Sequence, residues 1–218
     1  MLTRARIRLY YDIVSPYSYI AFETLTRYAK AGVWNFDLEL CPTSIGGVQK
    51  VSDSGRMIPA SHPLKYANMQ REIPRLYAEY GIRGELPPNF PNGKEHRTLE
   101  VVRLLRVLKE ASDPKVLEEC SRRLFDKFFG DHDLPGNDPV AFMQCLVSEP
   151  QLLSQSAFDS YVQRSVEQDN KKRVVDEATQ LVHDHQAFGF PWIICHRGSD
   201  GKVEHFFGSD RMSNIAWW

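Results

Sequence analysis

The sequence YYDIVSPYSY at residues 10–19 lies where a strand gives way to a helix. Before it, residues 6–10 alternate between polar and apolar side chains, which predicts a β-strand. After it, apolar side chains recur at helical spacing over residues 17–28. Ser15 and Pro16 are residue types favoured at a helix N-cap and at the first helical position. We therefore predict that the Ser15 hydroxyl lies at the positive end of a helix, where an anion can bind.

The composition limits the kinds of partner. The chain has 218 residues, enough for one large domain or two small ones with a sizeable core. Its 27 basic and 28 acidic residues nearly balance, so we expect neither nucleic acid nor an anionic membrane surface as a partner. No apolar run approaches the roughly 18 residues of a membrane span, and we expect no secretory signal.

The cysteines and histidines do not group as metal ligands. The four cysteines are scattered, and no two of them form a CxxC pair. Such scatter is typical of reduced, mostly buried thiols inside a cell, and not of a disulfide framework or a zinc site. His183 and His185 are two residues apart, which places their side chains on different faces of a helix. We predict an intracellular protein without a metal.

The first half of the chain opens as a strand–helix–strand unit. We predict strands at 5–11 and 34–40 and a helix at 16–31 between them. Residues 43–61 contain glycine, proline and small polar residues, and we interpret them as a loop that includes at most one helical turn. Residues 62–186 show helical periodicity and no convincing strand pattern.

The strand pattern returns near the C-terminus. Residues 190–196 form an apolar strand, residues 198–201 a hairpin turn and residues 202–207 the partner strand. Residues 208–211 open a final helix. The chain thus has a βαβ unit at one end, a ββα unit at the other and a helical block between them.

This order of elements resembles that of thioredoxin-like proteins. We predict an α/β fold in which a thioredoxin-like domain, formed by residues 1–61 and 187–218, carries an all-helical domain at 62–186. Thioredoxin-like proteins have a CxxC motif at the start of the first helix and a cis-proline facing it. Residues 15–18 and Pro191 occupy these places here. Serine supplies neither a thiolate nor a resolving thiol, so disulfide exchange is disfavoured.

Three separated motifs carry a more specific resemblance. They are SPYS at residues 15–18, FGFP at 188–191 and FGSDR at 207–211. In this order they resemble the kappa-class glutathione transferases, and the resemblance covers nearly the whole chain. It implies a detoxification enzyme that conjugates glutathione, its co-substrate, to a small electrophile. It also implies a homodimer and a mitochondrial or peroxisomal location, with the cytoplasm as the alternative.

The resemblance further implies which residues bind glutathione. Ser15 holds the sulfur. Phe190, followed by Pro191, pairs its backbone with the cysteinyl part of the tripeptide, as an added strand does at a sheet edge. Ser209 and Asp210 take the γ-glutamyl end.

The remaining candidates concern the two ends of the tripeptide. We expect Ser209 to cap the final helix, whose N–H groups suit the α-carboxylate, and Asp210 to pair with the α-ammonium. Arg211 belongs to the same motif. Where the family has an asparagine and a lysine, this chain has Arg56 and His62. Because arginine binds carboxylates well, these two are our candidates for the glycyl carboxylate.

The chemistry expected of Ser15 needs no basic residue. A free thiol has a pKa of about 8.5, and lowering it by about two units takes roughly 2.7 kcal/mol of preference for the anion. A helix N-terminus supplies about 0.3–2 kcal/mol. A hydrogen bond to a charged group adds about 1.5–3 kcal/mol. Together they suffice, so no histidine base of the hydrolase kind is required.

Three alternatives stay open. A Ser-Pro helix start is often only a cap. The 2-hydroxychromene-2-carboxylate isomerases share the fold, the serine and the use of glutathione with the kappa class. A non-catalytic module that binds glutathione or a protein partner is the third alternative. The motif at residues 208–211 favours the transferase.

Overall fold

The protein is built around one mixed four-stranded sheet. The computed structural model describes residues 4–54, 62–91, 94–136 and 138–218, and the sheet lies within these ranges. Its strands are β1 (Ala5–Tyr11), β2 (Phe36–Pro42), β3 (Trp192–His196) and β4 (Val203–Phe207). They lie in the order β2-β1-β3-β4. β1 is parallel to β2 and antiparallel to β3, which is antiparallel to β4. The predicted α/β class is confirmed.

Helices fill the middle of the chain, between β2 and β3, and also follow β1 and β4. The described ranges contain α1 (Pro16–Ala31), α2 (Ile45–Val51), α3 (Pro63–Tyr80), α4 (Leu99–Ala111), α5 (Pro114–Phe125), α6 (Pro139–Met143), α7 (Gln155–Ser165), α8 (Gln168–His185) and α9 (Met212–Trp217). As predicted, the described segments between residues 62 and 186 contain no strand. None of these described helices is both long and apolar enough to cross a membrane.

The second strand lies two residues further along the chain than predicted. We predicted residues 34–40, whereas β2 begins at Phe36, which pairs with Ala5 at the start of β1. Trp34 instead packs edge-on against Tyr28 at the end of α1, with ring centroids 4.9 Å apart. At its other end β2 includes Pro42, which has no backbone N–H to donate. An edge strand tolerates proline where the missing N–H would point away from the neighbouring strand.

Helix α2 occupies seven residues of a segment that the sequence predicts as a loop. Ser44 caps it by accepting a hydrogen bond from the Gly47 N–H at 3.2 Å. Glycines disfavour a helix on intrinsic propensity, which is why the sequence predicts a loop with at most one helical turn over residues 43–61. Residues 55–61 of this segment lie outside the described residues. Packing decides otherwise, since a Cβ on Gly47 would lie only 3.0 Å from the Ala178 Cβ of α8. The close approach of the two helices therefore requires a residue without a side chain.

One continuous apolar core joins the sheet to the helical block. Tyr19 of α1 stacks on Phe125 of α5, with ring centroids 4.6 Å apart, and it also contacts Phe129. Leu9 of β1 and Leu105 of α4 are fully buried in the same cluster. The core thus contains residues of both predicted domains. The division into a thioredoxin-like domain and a helical domain stays a prediction.

Arg122 ties α1 to α5, and its removal gives a stability prediction. Its guanidinium donates to Glu23 at 2.8 Å, and the Glu23 side chain is only 8% exposed. Arg122→Met takes one of its two cationic partners from the buried Glu23 carboxylate, so we expect the free energy of unfolding to fall by about 1–3 kcal/mol. The loss is no larger because Glu23 keeps its second partner, Arg27. Urea denaturation measures the loss. The control is Arg173→Met, a half-exposed arginine with one described partner, for which we expect a change within about 0.5 kcal/mol.

Candidate functional site

Three segments of the chain meet at one end of the sheet. Trp192 of β3 pairs with Tyr10 of β1 on one side and with Phe207 of β4 on the other. Just beyond the ladder, the Gly208 N–H donates to the Pro191 carbonyl at 3.1 Å. The turn after β1, the residues before β3 and the residues after β4 therefore lie side by side. These are the three motifs singled out in the sequence.

Ser15 is the N-cap of α1, as predicted. Its backbone is extended, with φ −92° and ψ 113°, and its Oγ accepts the Ser18 N–H at 3.1 Å. The residue is buried, with 5% of its surface exposed. No hydrogen bond in the described part of the chain uses the Ser15 hydroxyl proton. The hydroxyl can thus cap the helix with its lone pair and still donate to a ligand.

Asp12 holds the turn that carries Ser15. Its carboxylate accepts hydrogen bonds from the Ile45 N–H at 2.9 Å, the Thr98 hydroxyl at 2.5 Å and the Val14 N–H at 3.3 Å. Burial raises the pKa of this carboxyl, and the three donors act in the opposite direction. The carboxylate thereby fixes the turn to the start of α2 and to the segment before α4.

Sequence reasoning gave Asp12 no role. A carboxylate in the turn between a strand and a helix was the available signal, and it lies inside the stretch quoted first. Its partner Ile45 is 33 residues away and its partner Thr98 is 86 residues away, so neither is visible in a local pattern. The structure brings all three together.

Phe190 lies in the segment before β3, and its backbone has no partner within the described residues. The Phe190–Pro191 peptide bond is cis, which confirms the expected cis-proline. Both residues are buried. Within the described ranges, the backbone N–H and C=O of Phe190 have no hydrogen-bond partner. The chain before β3 therefore offers a donor and an acceptor to an extended ligand.

The last motif lies beside the same site but does not form the predicted cap. Ser209 begins a 3₁₀ turn, Ser209–Arg211, and α9 starts only at Met212. Our prediction that Ser209 caps the final helix was wrong, because Gly208, at φ 100°, redirects the chain into this tight turn first. A Cβ on Gly208 would lie 2.6 Å from the Asp210 Oδ1. Glycine is favoured here because other residues are strained at this φ, and a side chain would also displace the Asp210 carboxylate.

Charged side chains stand at the outer rim of this motif. Asp210 and Arg211 are exposed and pair with each other at 2.6 Å. On the facing helices, the Tyr17 hydroxyl donates to the Glu72 carboxylate at 2.6 Å. Burial, the hydrogen bond to Glu72 and the nearby Asp210 charge raise the pKa of Tyr17, so this hydroxyl stays protonated. The rim offers both charge signs to a ligand.

The structure does not bring the two candidates for the glycyl carboxylate together within the described residues. Arg56 lies outside the described residues. His62 is the exposed N-cap residue of α3 and makes no side-chain capping bond. The segment that leads to Arg56 starts close to the site, since the Ser54 hydroxyl donates to the Phe188 carbonyl at 2.5 Å. No described contact joins His62 to Ser15 or Phe190.

The site contains no thiol of its own. The four cysteines lie elsewhere and are free, and three of them are buried while Cys145 is half-buried. This confirms the prediction of unpaired, mostly buried thiols. A sulfur at the Ser15 hydroxyl must therefore come from a ligand.

The fold and the site define the class of the protein. A family model described as "DSBA-like thioredoxin domain" matches residues 6–217, so the chain has the thioredoxin-like fold that its element order resembles. The solved structure of 2-hydroxychromene-2-carboxylate isomerase is similar in fold, with a TM-score of 0.74 over 97% of this chain and 93% of that one at 17% sequence identity.

Two curated relatives give the particular family. The chain is 31% identical to rat glutathione S-transferase kappa 1 over 214 residues, which cover 97% of this chain and 89% of that protein. It is 29% identical to human glutathione S-transferase kappa 1, over 96% of this chain and 88% of the relative. This protein belongs to the DsbA-like thioredoxin family and, within it, to the kappa-class glutathione S-transferases, a class of enzymes.

Proposed function

We propose that this enzyme conjugates glutathione to electrophilic substrates and that Ser15 stabilises the glutathione thiolate. The observation that carries the proposal is the unused hydroxyl proton of Ser15 at the N-terminus of the 16-residue helix α1. A donor in this position can bond to a sulfur anion without losing its own proton. The field of the helix favours the same anion.

Ser15 and the helix supply enough free energy for this task. Lowering a thiol pKa by about two units takes roughly 2.7 kcal/mol. A hydrogen bond to a charged group contributes about 1.5–3 kcal/mol, and burial of Ser15 favours the upper part of that range because water screens it less. The helix adds up to about 2 kcal/mol when the charge is partly buried.

The backbone of Phe190 supports a place for the middle of the tripeptide. Its N–H and C=O are unpaired in the described structure and lie two residues before Trp192, where the β1–β3 ladder ends. A cysteinyl residue bound there as an added strand has its side chain beside the turn that carries Ser15. Pro191, which follows, is buried, and its carbonyl accepts the Gly208 N–H just before β3 begins.

The two ends of glutathione are then assigned by charge. The α-amino acid group of the γ-glutamyl unit is a zwitterion, and the Asp210–Arg211 pair offers it a carboxylate and a guanidinium, with Ser209 buried beneath them. Arg56 and His62 remain our candidates for the glycyl carboxylate at the opposite end. Arginine suits this carboxylate because it binds carboxylates through two parallel hydrogen bonds.

The test combines binding, thiol ionisation and turnover in one protein preparation. Calorimetry measures glutathione binding, the ultraviolet absorbance of the thiolate gives the pKa of the bound thiol, and 1-chloro-2,4-dinitrobenzene serves as the acceptor. We expect binding, a thiol pKa below its free value and conjugation. Binding with an unshifted thiol pKa would indicate the non-catalytic module. Faster turnover of 2-hydroxychromene-2-carboxylate than of the acceptor would indicate the isomerase.

Removing the charge of Asp210 tests the γ-glutamyl site. We expect Asp210→Asn to raise the KM for glutathione about tenfold. A hydrogen bond to a charged group that water partly screens is worth about 1.5 kcal/mol. The kcat changes little, because the contact is made equally in the ground state and in the transition state. Steady-state kinetics with varied glutathione measures both constants.

The matched control for this variant is Asp37→Asn, an exposed aspartate that pairs with Arg4 at the far end of β2. It should leave the KM unchanged. An unchanged KM in both variants would remove Asp210 from the site.

We also propose that the enzyme is a homodimer and resides in mitochondria or peroxisomes, as the family resemblance implies. Sedimentation equilibrium tests the first proposal and imaging of the tagged full chain tests the second. Neither proposal affects the assignment of Ser15.

A further inference from the structure

A cavity lies next to the turn that carries Ser15. Its volume is about 680 Å³, which is within the range of small-molecule sites. Asp12 and Val14 of the turn form one side of it, and the start of α2, the start of α4 and the middle of α8 form the others. Its apolar lining consists of Val14, Ile45, Val51, Leu99, Val174 and Val175. Nothing in the function proposed above uses this space except its shared wall.

Two cations line the cavity, and neither has a carboxylate partner among the described residues. Lys50 and Arg97 are exposed, and neither side chain forms a salt bridge with a described residue. The carboxylates that line the same space are already engaged. Asp12 accepts three hydrogen bonds, and Glu100 pairs with Arg103 at 3.6 Å. The cavity therefore has an apolar interior and unpaired positive charge.

A buried histidine also faces this space without a partner. His96 is only 3% exposed and lines the cavity, yet neither of its ring nitrogens has a hydrogen-bond partner within the described structure. Its ring packs edge-on against Phe90, with ring centroids 5.5 Å apart. Buried polar groups are nearly always hydrogen-bonded, so an unpaired imidazole in a cavity wall points to a ligand with a polar group.

We propose that this cavity binds the second substrate of the enzyme and that this substrate is an organic acid with an apolar body. Arg97 and Lys50 hold its carboxylate, the valine and leucine side chains enclose its body, and His96 bonds to a polar group further along it. The role as second substrate rests on the proposed transferase function. The preference of the cavity for an apolar acid does not rest on it.

The first experiment measures binding alone. Calorimetry compares 3-nitrobenzoate with 3-nitrobenzamide, two unreactive ligands of the same size that differ in charge, in the absence of glutathione. We expect the benzoate to bind about tenfold more tightly, because charge-assisted hydrogen bonds are roughly twice as strong as neutral ones. The double variant Lys50→Gln/Arg97→Gln should bring the two affinities to within about twofold. Both residues are exposed, so the variant keeps the fold.

Two further variants distinguish the effect of the two cavity cations from that of the His96 hydrogen bond. Lys30→Gln removes an exposed charge near the end of α1, away from the cavity lining, and should leave the preference for the benzoate unchanged. His96→Phe keeps an aromatic ring in the same packing but removes its nitrogens. We expect it to weaken both nitro ligands by a similar factor of about three to ten, without changing their ratio. Equal affinity of benzoate and benzamide for the wild-type protein would overturn the proposal.

The second experiment tests the acid preference of the cavity separately from the proposed transferase function. Conjugation of glutathione is measured with 4-chloro-3,5-dinitrobenzoate and with the matching benzamide. We expect a higher kcat/KM for the acid, and loss of that advantage in the Lys50→Gln/Arg97→Gln variant. Selective binding of the benzoate without any conjugation would overturn the proposed function and the second-substrate role. Conjugation with equal kcat/KM for the two acceptors would overturn the acid preference alone.

Discussion

Replacing Ser15 by alanine should lower the kcat/KM of glutathione conjugation about 10- to 150-fold, because the sulfur anion loses a hydrogen bond worth about 1.5–3 kcal/mol. The same substitution should raise the pKa of the bound thiol by about one to two units. The affinity for glutathione should change much less at low pH, where the thiol is protonated in both proteins. Ultraviolet titration of the bound thiolate and steady-state kinetics measure these effects.

The control must account for the second role of Ser15. Its Oγ also caps α1 by accepting the Ser18 N–H, and loss of an N-cap costs about 0.5–2 kcal/mol of stability. Ser154→Ala removes the equivalent cap of α7, remote from the site in sequence, and should reproduce a stability loss of this kind without changing the thiol pKa. Ser18→Ala removes a buried hydroxyl that has no described partner and keeps the N–H, so conjugation should stay within about twofold.

The pattern of the three variants decides the assignment. A thiol pKa that rises in Ser15→Ala alone supports a direct bond from Ser15 to the sulfur. A similar rise in Ser154→Ala would instead trace the effect to general destabilisation. Equal conjugation by Ser15→Ala and the wild-type enzyme would end the assignment of Ser15.

Local signals made the start of α1, where we propose that the thiolate binds, predictable from the sequence. The Ser15–Pro16 pair and Gly32 are residue types that start and stop a helix by themselves, and α1 runs between them as predicted. The hairpin between β3 and β4 is set by a turn that ends in Gly201, at φ 72°. Cis-Pro191 was predicted by resemblance, since no local pattern requires a cis bond there. These features depend on neighbours within a few residues or on a motif.

The features that escaped prediction depend on packing between distant segments. Helix α2 forms although its glycines disfavour a helix, because Gly47 lets it approach α8 closely. Gly47 lies more than 120 residues before α8 in the sequence, so no local pattern predicts this packing. The cavity is similar, since its walls come from four separate segments and its unpaired His96 looks like an ordinary buried aromatic residue in the sequence. Asp12 is the clearest case, because its carboxylate joins the turn to two segments that are unrelated in sequence.

Removal of the Asp12 carboxylate should have the largest effect on stability. Asp12→Ala leaves the Ile45 N–H, the Val14 N–H and the Thr98 hydroxyl without their acceptor, and each unpaired donor costs about 1–3 kcal/mol where water cannot reach it. The adjacent cavity admits some water, so we expect a total loss of about 2–4 kcal/mol. Conjugation should fall as well, since the turn that orients Ser15 loses its attachment. Urea denaturation and steady-state kinetics measure the two effects.

The pH dependence of stability shows whether the charged form of Asp12 stabilises the fold or is destabilised by burial. Burial raises the pKa of Asp12 in the folded protein above its value in the unfolded chain, so over the interval between the two values the folded state binds more protons. The free energy of unfolding contributed by Asp12 is therefore greatest at low pH and decreases as pH rises through the folded pKa.

Asp12→Asn isolates this contribution, because asparagine does not titrate and other groups cancel in the comparison. We expect the stability of the wild type relative to Asp12→Asn to decrease from about pH 4 towards neutral pH. Thr98→Val removes one hydrogen bond that favours the charged carboxylate, so it should make this decrease larger. A relative stability that increases with pH would mean that the three donors outweigh burial. Asp12 would then act as a stabilising anion, and its negative charge would oppose the thiolate that we propose binds at Ser15.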